Sequence, residues 1–217
     1  FEEVSWEEAL DFAANGLMKT KSIFSGKAIA GFGSAKCTNE EAFLFQKLMR
    51  QVFNTNNVDH CTRLCHASSV AALMEGIGSG AVTIPFTAAE DSECIILIGA
   101  NPEKNHPVAS TFLKNAAKKG TKLIVLDVVK QNLMRHASHG LVFHPGTDVS
   151  LLNAMIYTII EEELYNKEYI KTFTEGFEDL KSSIKLYSPE KMEKICKVSS
   201  KHIREIARVY SKSSKSI

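Results

Sequence analysis

The run Cys94-Ile-Ile-Leu-Ile-Gly99 constrains the fold more than any other stretch, because a short apolar run closed by glycine reads as a strand buried on both faces. Gly99-Ala-Asn-Pro-Glu-Lys-Asn-His-Pro107 leads from it into a helix over Val108–Lys119, and Gly120 stops that helix. Lys122–Leu126 is the next strand and ends at Asp127. Together they form a βαβ unit of about thirty residues. A right-handed crossover sets the loops after Ile98 and Leu126 on one carboxyl edge of a sheet. Open α/β sheets bind nucleotides at that edge, and an acidic residue there, Asp127, suits a ribose or a base edge. The expected fold is therefore α/β, an open parallel, Rossmann-like sheet with flanking helices.

The rest of the chain supports that class. Ser5-Trp-Glu-Glu8 has the spacing of a capping box and predicts an amphipathic helix over 6–20, with Ala9, Leu10, Ala13 and Leu17 on its apolar face. Ala28–Gly33 reads as a buried strand. Thr38-Asn-Glu-Glu41 is a second capping box, opening a helix through about Phe53 whose buried stripe is Phe43, Phe45, Leu48, Met49 and Val52. The link Gly33-Ser-Ala-Lys-Cys-Thr38 could offer backbone N–H groups and Lys36 to an anion. Ser69–Met74 is helical until Gly76, Gly78 and Gly80 break it, and that glycine series reads as a turn before it reads as a phosphate loop. Gly140–His144 is a further short strand, and Pro145-Gly-Thr-Asp148 caps a long helix, Val149 to about Glu163. From Lys167 onward the pattern is a helical, lysine-rich segment: Lys167–Phe173, Phe177–Leu186, Pro189–Val198 and Lys201–Lys212. It carries no convergent chemistry and reads as a cover.

Bulk properties exclude more than they assign. A net charge of +1 with no long basic run gives no reason to expect a nucleic-acid partner. No apolar run is long enough to span a bilayer, so no membrane segment is expected. Five cysteines, Cys37, Cys61, Cys65, Cys94 and Cys196, form no dense framework. They point to reduced thiols and a cytoplasmic default. The absence of an initial methionine suggests a piece of something longer.

Chemistry concentrates in Thr55-Asn-Asn-Val-Asp-His-Cys-Thr-Arg-Leu-Cys-His-Ala67, between two segments that read as helices. Four readings stand. Cys61 and Cys65 are small buried hydrophobes; or His60, Cys61, Cys65 and His66 form a zinc knuckle, against which their crowding argues; or a cysteine is an activated nucleophile. In the fourth, one thiolate ligates a metal held mainly by a cofactor, with His66 and Arg63 facing the substrate. This needs a single protein ligand and fits the crowding best.

Asn56-Asn-Val-Asp-His-Cys-x-Arg-x-Cys-His66 resembles the segment by which formate dehydrogenase catalytic subunits of the molybdopterin oxidoreductase superfamily present selenocysteine or cysteine to molybdenum or tungsten. Ser5-Trp-Glu-Glu-Ala-Leu10, Gly33-Ser-Ala-Lys-Cys-Thr-Asn-Glu40, Gln46-Lys47, Gly99-x-Asn-Pro102, His106-Pro107, Pro145-Gly-Thr-Asp148, Leu152-Asn-Ala154 and Thr174-Glu-Gly-Phe177 are similar to family segments in the same order. The Ser200…Ile203-Arg…Ala207-Arg…Tyr210 pattern extends the likeness into the helical tail. The resemblance implies Cys65 as metal ligand on a centre otherwise coordinated by two pterin guanine dinucleotides. His66 would handle the proton or orient formate, with Arg63 as a nearby cation. For one dinucleotide it implies Asn101 and Asn105 near the phosphates, Asp127 and the turn Gly146, Thr147, Asp148 toward the guanosine, and Lys36 on a phosphate. It also implies formate as substrate and electron transfer to a 4Fe–4S cluster, with electron-transfer subunits as partners.

Departures accompany the resemblance. Asp127-Val-Val129 stands where family members often carry Asp-Pro-Arg, and Lys104 where an acidic or small residue is common. The four-cysteine cluster motif, the downstream arginine and the C-terminal cap are absent. The expectation is a cofactor-free, inactive fragment holding one wall of an active site. Residues 1–59 would belong to a discontinuous N-terminal α/β lobe and 60–217 to a central dinucleotide-binding lobe with its helical tail. The runner-up within the superfamily is a periplasmic-type nitrate reductase, which also uses a cysteine ligand. Outside it, the alternative is a non-catalytic binding module of the same fold.

Overall fold

A computed structural model describes residues 1–217. The chain forms two compact units, Phe1–Thr83 and Ile84–Ile217. In the first, α1 (Trp6–Phe24) begins at Ser5, whose Oγ accepts the Glu8 N–H at 3.2 Å. A 3-10 turn, Gly26–Ala28, precedes β1 (Gly31–Gly33), so the expected strand keeps only its last three residues. Gly26 lies against the backbone of Phe53, and a Cβ there would overlap the Phe53 carbonyl. The Thr38 capping box opens α2 (Asn39–Lys47), which runs on as a π-helical turn, Leu48–Val52. β2 (Val58–His60) then pairs parallel with β1, Gly31 opposite Val58 and Gly33 opposite His60. That strand lies in a stretch that sequence reading left without an element. After it come a single turn, α3 (Thr62–Cys65), and α4 (Ala67–Ile77). Gly78 stops α4 in the left-handed region (φ 73°), an ordinary helix end.

The apolar stripe expected on α2 is not buried as a stripe. Met49 (3% exposed), Ile29 and Phe53 form the small core of this unit, with Phe45 and Val58 packed against it. Phe43, Leu48 and Val52 face outward, and no residue of α1 is buried. Of the expected stripe only Met49 is buried and Phe45 packed beside it, and the apolar residues of α1 have nothing in this unit to pack against.

The second unit is a parallel sheet, order β3-β4-β5, covered on both faces: β3 (Cys94–Ile98), β4 (Lys122–Asp127) and β5 (His139–Val142). Alternating side chains of β4 divide between the faces. Leu123 and Val125 meet Leu113 and Ala116 of α6 (Pro107–Lys119), behind a one-turn α5 (Pro102–Asn105) that the sequence did not separate from it. Ile124 and Leu126 meet Leu151, Ala154 and Met155 of α7 (Asp148–Glu161). After α8 (Lys167–Phe173) and α9 (Phe177–Ser183), α10 (Pro189–Cys196) and α11 (Ser200–Ser211) complete that core with Met192, Ile203, Ile206 and Ala207. The tail is the cover its pattern suggested. At the outer edge of β3 the final residues add a short parallel pairing, Ile217 N–H to Cys94 O at 3.0 Å. No helix is long and apolar enough to cross a membrane.

Arg204 ties three of these helical segments together. Its guanidinium, with 19% of the side chain exposed, donates to Glu190 at 3.0 and 3.2 Å, to Glu161 at 2.7 Å and to Glu162 at 3.3 Å. Arg208 adds two bonds to Glu162, at 2.7 and 2.8 Å. Arg204 holds the Glu190 carboxyl, and Arg208 then Arg204 the Glu162 carboxyl, below the ordinary 4.5. A depressed folded-state pKa stabilises the fold above the unfolded value, and that contribution is lost as pH falls through the folded value. Arg204→Ala should therefore lower the melting temperature at pH 7 by a few degrees, equivalent to about 1–2 kcal/mol. The deficit against wild type should shrink toward zero as pH falls below 4.5 and through the depressed folded-state values, where the carboxylates become protonated. A thermal-melt series over pH checks both; a deficit independent of pH would assign the loss to packing.

Candidate functional site

In the first unit, parallel pairing of β1 and β2 brings Gly33 and His60 to one carboxyl edge. A cleft of about 490 Å³ opens there, lined among others by Ser34, Cys37, Glu41, Arg50, Asp59 and His60. Lys36 sits exposed in the same β1–α2 link, where its N–H bonds Ser34 Oγ at 3.0 Å.

The chain turns from β2 into α3 through short polar bonds. Asp59 Oδ1 accepts the His60 N–H at 2.8 Å, and Oδ2 accepts Arg63 Nε at 3.0 Å. These two donors, the backbone one first, hold the Asp59 carboxyl below its usual range. His60 Nδ1 accepts the Thr62 N–H at 3.2 Å and lies 2.7 Å from Thr62 Oγ1. Asp59, His60, Thr62 and Arg63 are thus occupied with one another. Cys65, the last residue of α3, and His66, the non-helical pivot into α4 (φ −146°, ψ 21°), are both exposed. Neither side chain is drawn into that set of bonds. Arg63 is tied back to Asp59 and is not free above the thiol.

The five thiols separate cleanly. Cys94 and Cys196 are buried, and burial pushes both up, which leaves them as packing groups. Cys37, Cys61 and Cys65 are exposed, so the reading of Cys61 and Cys65 as buried hydrophobes fails. No three His, Cys, Asp or Glu side chains gather to enclose an ion. A single exposed cysteine sulfur can serve only a metal that arrives with most of its ligands already in place.

In the second unit, Asn101, Asp127 and the Gly146–Asp148 turn follow the carboxyl ends of β3, β4 and β5, so topology brings them to one edge. Asn105 is exposed at the end of α5, and Gly146 turns with φ 78°. Asp148, also exposed, is the first residue of α7. Thr147 is the N-cap, but its hydroxyl donates to His144 O at 2.6 Å and caps nothing. Asp127 is buried and already engaged. Its Oδ1 accepts the N–H groups of Val128 (2.7 Å) and Val129 (3.2 Å), and its Oδ2 accepts Gln131 Nε2 at 2.6 Å. Sequence reading missed Gln131, since a lone glutamine after a strand gives no sign that it will be buried. Asn101 Oδ1 and Gln131 Oε1 are buried without a partner. Native structures rarely leave such acceptors unmet, and their position at the sheet edge fits a bound nucleotide.

Comparison with known proteins follows this geometry. The profile of the family described as Molybdopterin oxidoreductase matches residues 1–202. The chain is similar to the F420-dependent formate dehydrogenase subunit alpha of Methanocaldococcus jannaschii, 41% identical over 210 residues, covering 97% of this chain and 30% of that protein. It is also similar to the periplasmic nitrate reductase of Desulfovibrio desulfuricans, 33% identical over 225 residues, covering 98% of this chain and 30% of that one. Among solved structures it resembles the acetylene hydratase from Pelobacter acetylenicus, with a TM-score of 0.77 and 28% identity over 99% of this chain and 29% of that one. The chain therefore spans about a third of the length of the proteins it matches.

Proposed function

Because the chain belongs to the molybdopterin oxidoreductase family, we propose that its parent is a formate dehydrogenase catalytic subunit, oxidising formate to carbon dioxide. Formate oxidation releases one proton and two electrons, and a 4Fe–4S cluster elsewhere in the parent, with partner subunits beyond it, would accept the electrons. The observation that carries this reading is the exposed pair Cys65-His66 at the end of a one-turn helix, free of the bonds that occupy its neighbours. Cys65 is the thiolate ligand to molybdenum or tungsten. The bound bis-pterin guanine dinucleotide centre supplies a two-electron acceptor. His66, beside it in the chain, takes the proton at a ring nitrogen or orients the formate carboxylate. Arg63 contributes positive charge, moderated by its pairing with Asp59.

Lys36 serves one phosphate, and Asn101, Asn105 and the Gly146-Thr147-Asp148 turn serve one dinucleotide. Asp127 acts from behind, by shaping the loop after β4 through its bonds to Val128 and Val129. In the parent, the first unit would form part of a discontinuous N-terminal lobe and the second most of the central one, both working among reduced thiols in the cytoplasm. The division falls after Thr83 and not at residue 59, where it would split β2. The second reading, nitrate reduction, is favoured by the nitrate reductase relative. A histidine directly after the ligand favours formate, since nitrate reduction needs no proton acceptor there. The intact parent, produced with molybdate or tungstate, should reduce a viologen dye with formate. Nitrate reduction without formate oxidation would overturn the proposal.

A further inference from the structure

The turn that carries Cys65 is held by polar bonds. α3 spans four residues and buries none of them, and Leu64, its one large apolar side chain, is 96% exposed. A single helical turn makes too few bonds to be stable by itself in water. Within it, the Cys65 N–H donates to Cys61 O and the His66 N–H to Thr62 O, both at 3.1 Å. Cys61, at the N-cap, lends it no side-chain bond. The side-chain ties come from β2. Asp59, opposite Phe32 of β1, accepts the His60 N–H through Oδ1 and Arg63 Nε through Oδ2, and His60 Nδ1 accepts the Thr62 N–H. The Asp59–Arg63 pair is open to solvent, and such a pair adds little to a long helix. In a turn that buries nothing, it is one of two bonds from side chains that fasten the turn to the sheet.

We propose that Asp59 is a positioning residue of this site: it anchors the turn to β2 and so aims the Cys65 sulfur, acting through Arg63 and the His60 N–H and touching neither metal nor formate. This rests on the reading of Cys65 as the metal ligand and adds what sets its direction. Aspartate suits the task, because its short stem lets one carboxylate meet the next N–H and a guanidinium four residues on. Glutamate would carry its oxygens one methylene further. Asparagine would keep an acceptor for His60 and set a neutral amide against Arg63. Arg63, two residues before Cys65, thereby has a second task beside the charge it brings. It is the handle by which the strand grips the turn.

The test has two arms. In this chain, the backbone Cα chemical shifts of Thr62–Cys65, read by NMR, report how fully the turn is formed. Asp59→Asn should lower their helical component by about half, and Asp59→Ala should remove most of it. The core of Ile29, Met49 and Phe53 should keep its shifts. Arg63→Met should match Asp59→Asn, and the double variant should lose no more than either alone. Additive losses, or unchanged shifts in Asp59→Ala, would overturn the proposal. In the intact parent, Asp59→Ala should lower kcat for formate about tenfold or more, with KM within about twofold of wild type. A misaimed ligand slows the chemistry and leaves the groups that bind formate in place. An unchanged kcat would contradict the aiming role, and a raised KM with kcat kept would make Asp59 a substrate group instead. Should Asp59→Ala fail to fold, Asp59→Asn decides both arms, with a smaller loss in the same direction. The shifts are read without turnover, so absence of formate oxidation in the parent would count against the proposed reaction and leave the anchoring of the turn standing.

Discussion

Cys65→Ala in the intact parent should abolish formate-dependent dye reduction, by about 10³-fold or more, while leaving the melting temperature unchanged. The size of the loss follows from the role: alanine offers no donor atom to a metal, so the ligand is removed outright. The intact fold follows from position. Cys65 is exposed at the end of the one-turn α3, and alanine is the better helix former there. Cys61→Ala is the matched control. It removes an equally exposed thiol four residues away, whose Sγ lies 3.8 Å from His60 Nδ1, and should retain most of the rate. Retained activity in Cys65→Ala would remove Cys65 from the mechanism.

The largest stability effect is expected in the helical cover of the second sheet. Ile206 of α11 is fully buried in the core cluster that also holds Leu151, Ile203, Ile124 and Leu126. Truncation to alanine removes apolar contacts and leaves a cavity, at a cost of about 2–5 kcal/mol. Denaturant unfolding of the second unit should register it. Leu10→Ala in α1 is the contrast: Leu10 is 62% exposed, so the same chemistry should cost this chain less than about 0.5 kcal/mol. A large effect at Leu10 or a negligible one at Ile206 would contradict the packing described here.

These contrasts also show what was legible in the amino-acid order. Cys94–Ile98 and Leu123–Leu126 were readable because a strand buried on both faces needs an unbroken apolar run, and Gly120 because only a left-handed residue closes α6 as tightly. Ser5 and Thr38 were readable because capping is local. Val58–His60 was not, since a three-residue strand carrying Asp and His has no periodicity of its own and exists through its pairing with β1. Phe43, Leu48 and Val52 carry the pattern of a buried face, yet nothing in this unit covers them.

At the site, the order of residues singled out Cys65, His66 and Arg63, and α3 does bring them to one turn. It could not show that Asp59 would take Arg63, because that bond depends on how β2 runs into α3. The same limit applies to Asp127. An acid at the end of a strand looks available, and only the path of the following loop reveals Gln131 folded back upon it. The unmet acceptors of Asn101 and Gln131 belong to three dimensions altogether.

The identity of the metal's protein ligand is best tested by X-ray absorption at the edge of the bound metal in the intact parent, wild type against Cys65→Ser. The sulfur shell should lose about one scatterer in the variant, replaced by a lighter atom at shorter distance. An unchanged sulfur shell in a variant that still carries its metal would contradict the assignment of Cys65 as the ligand.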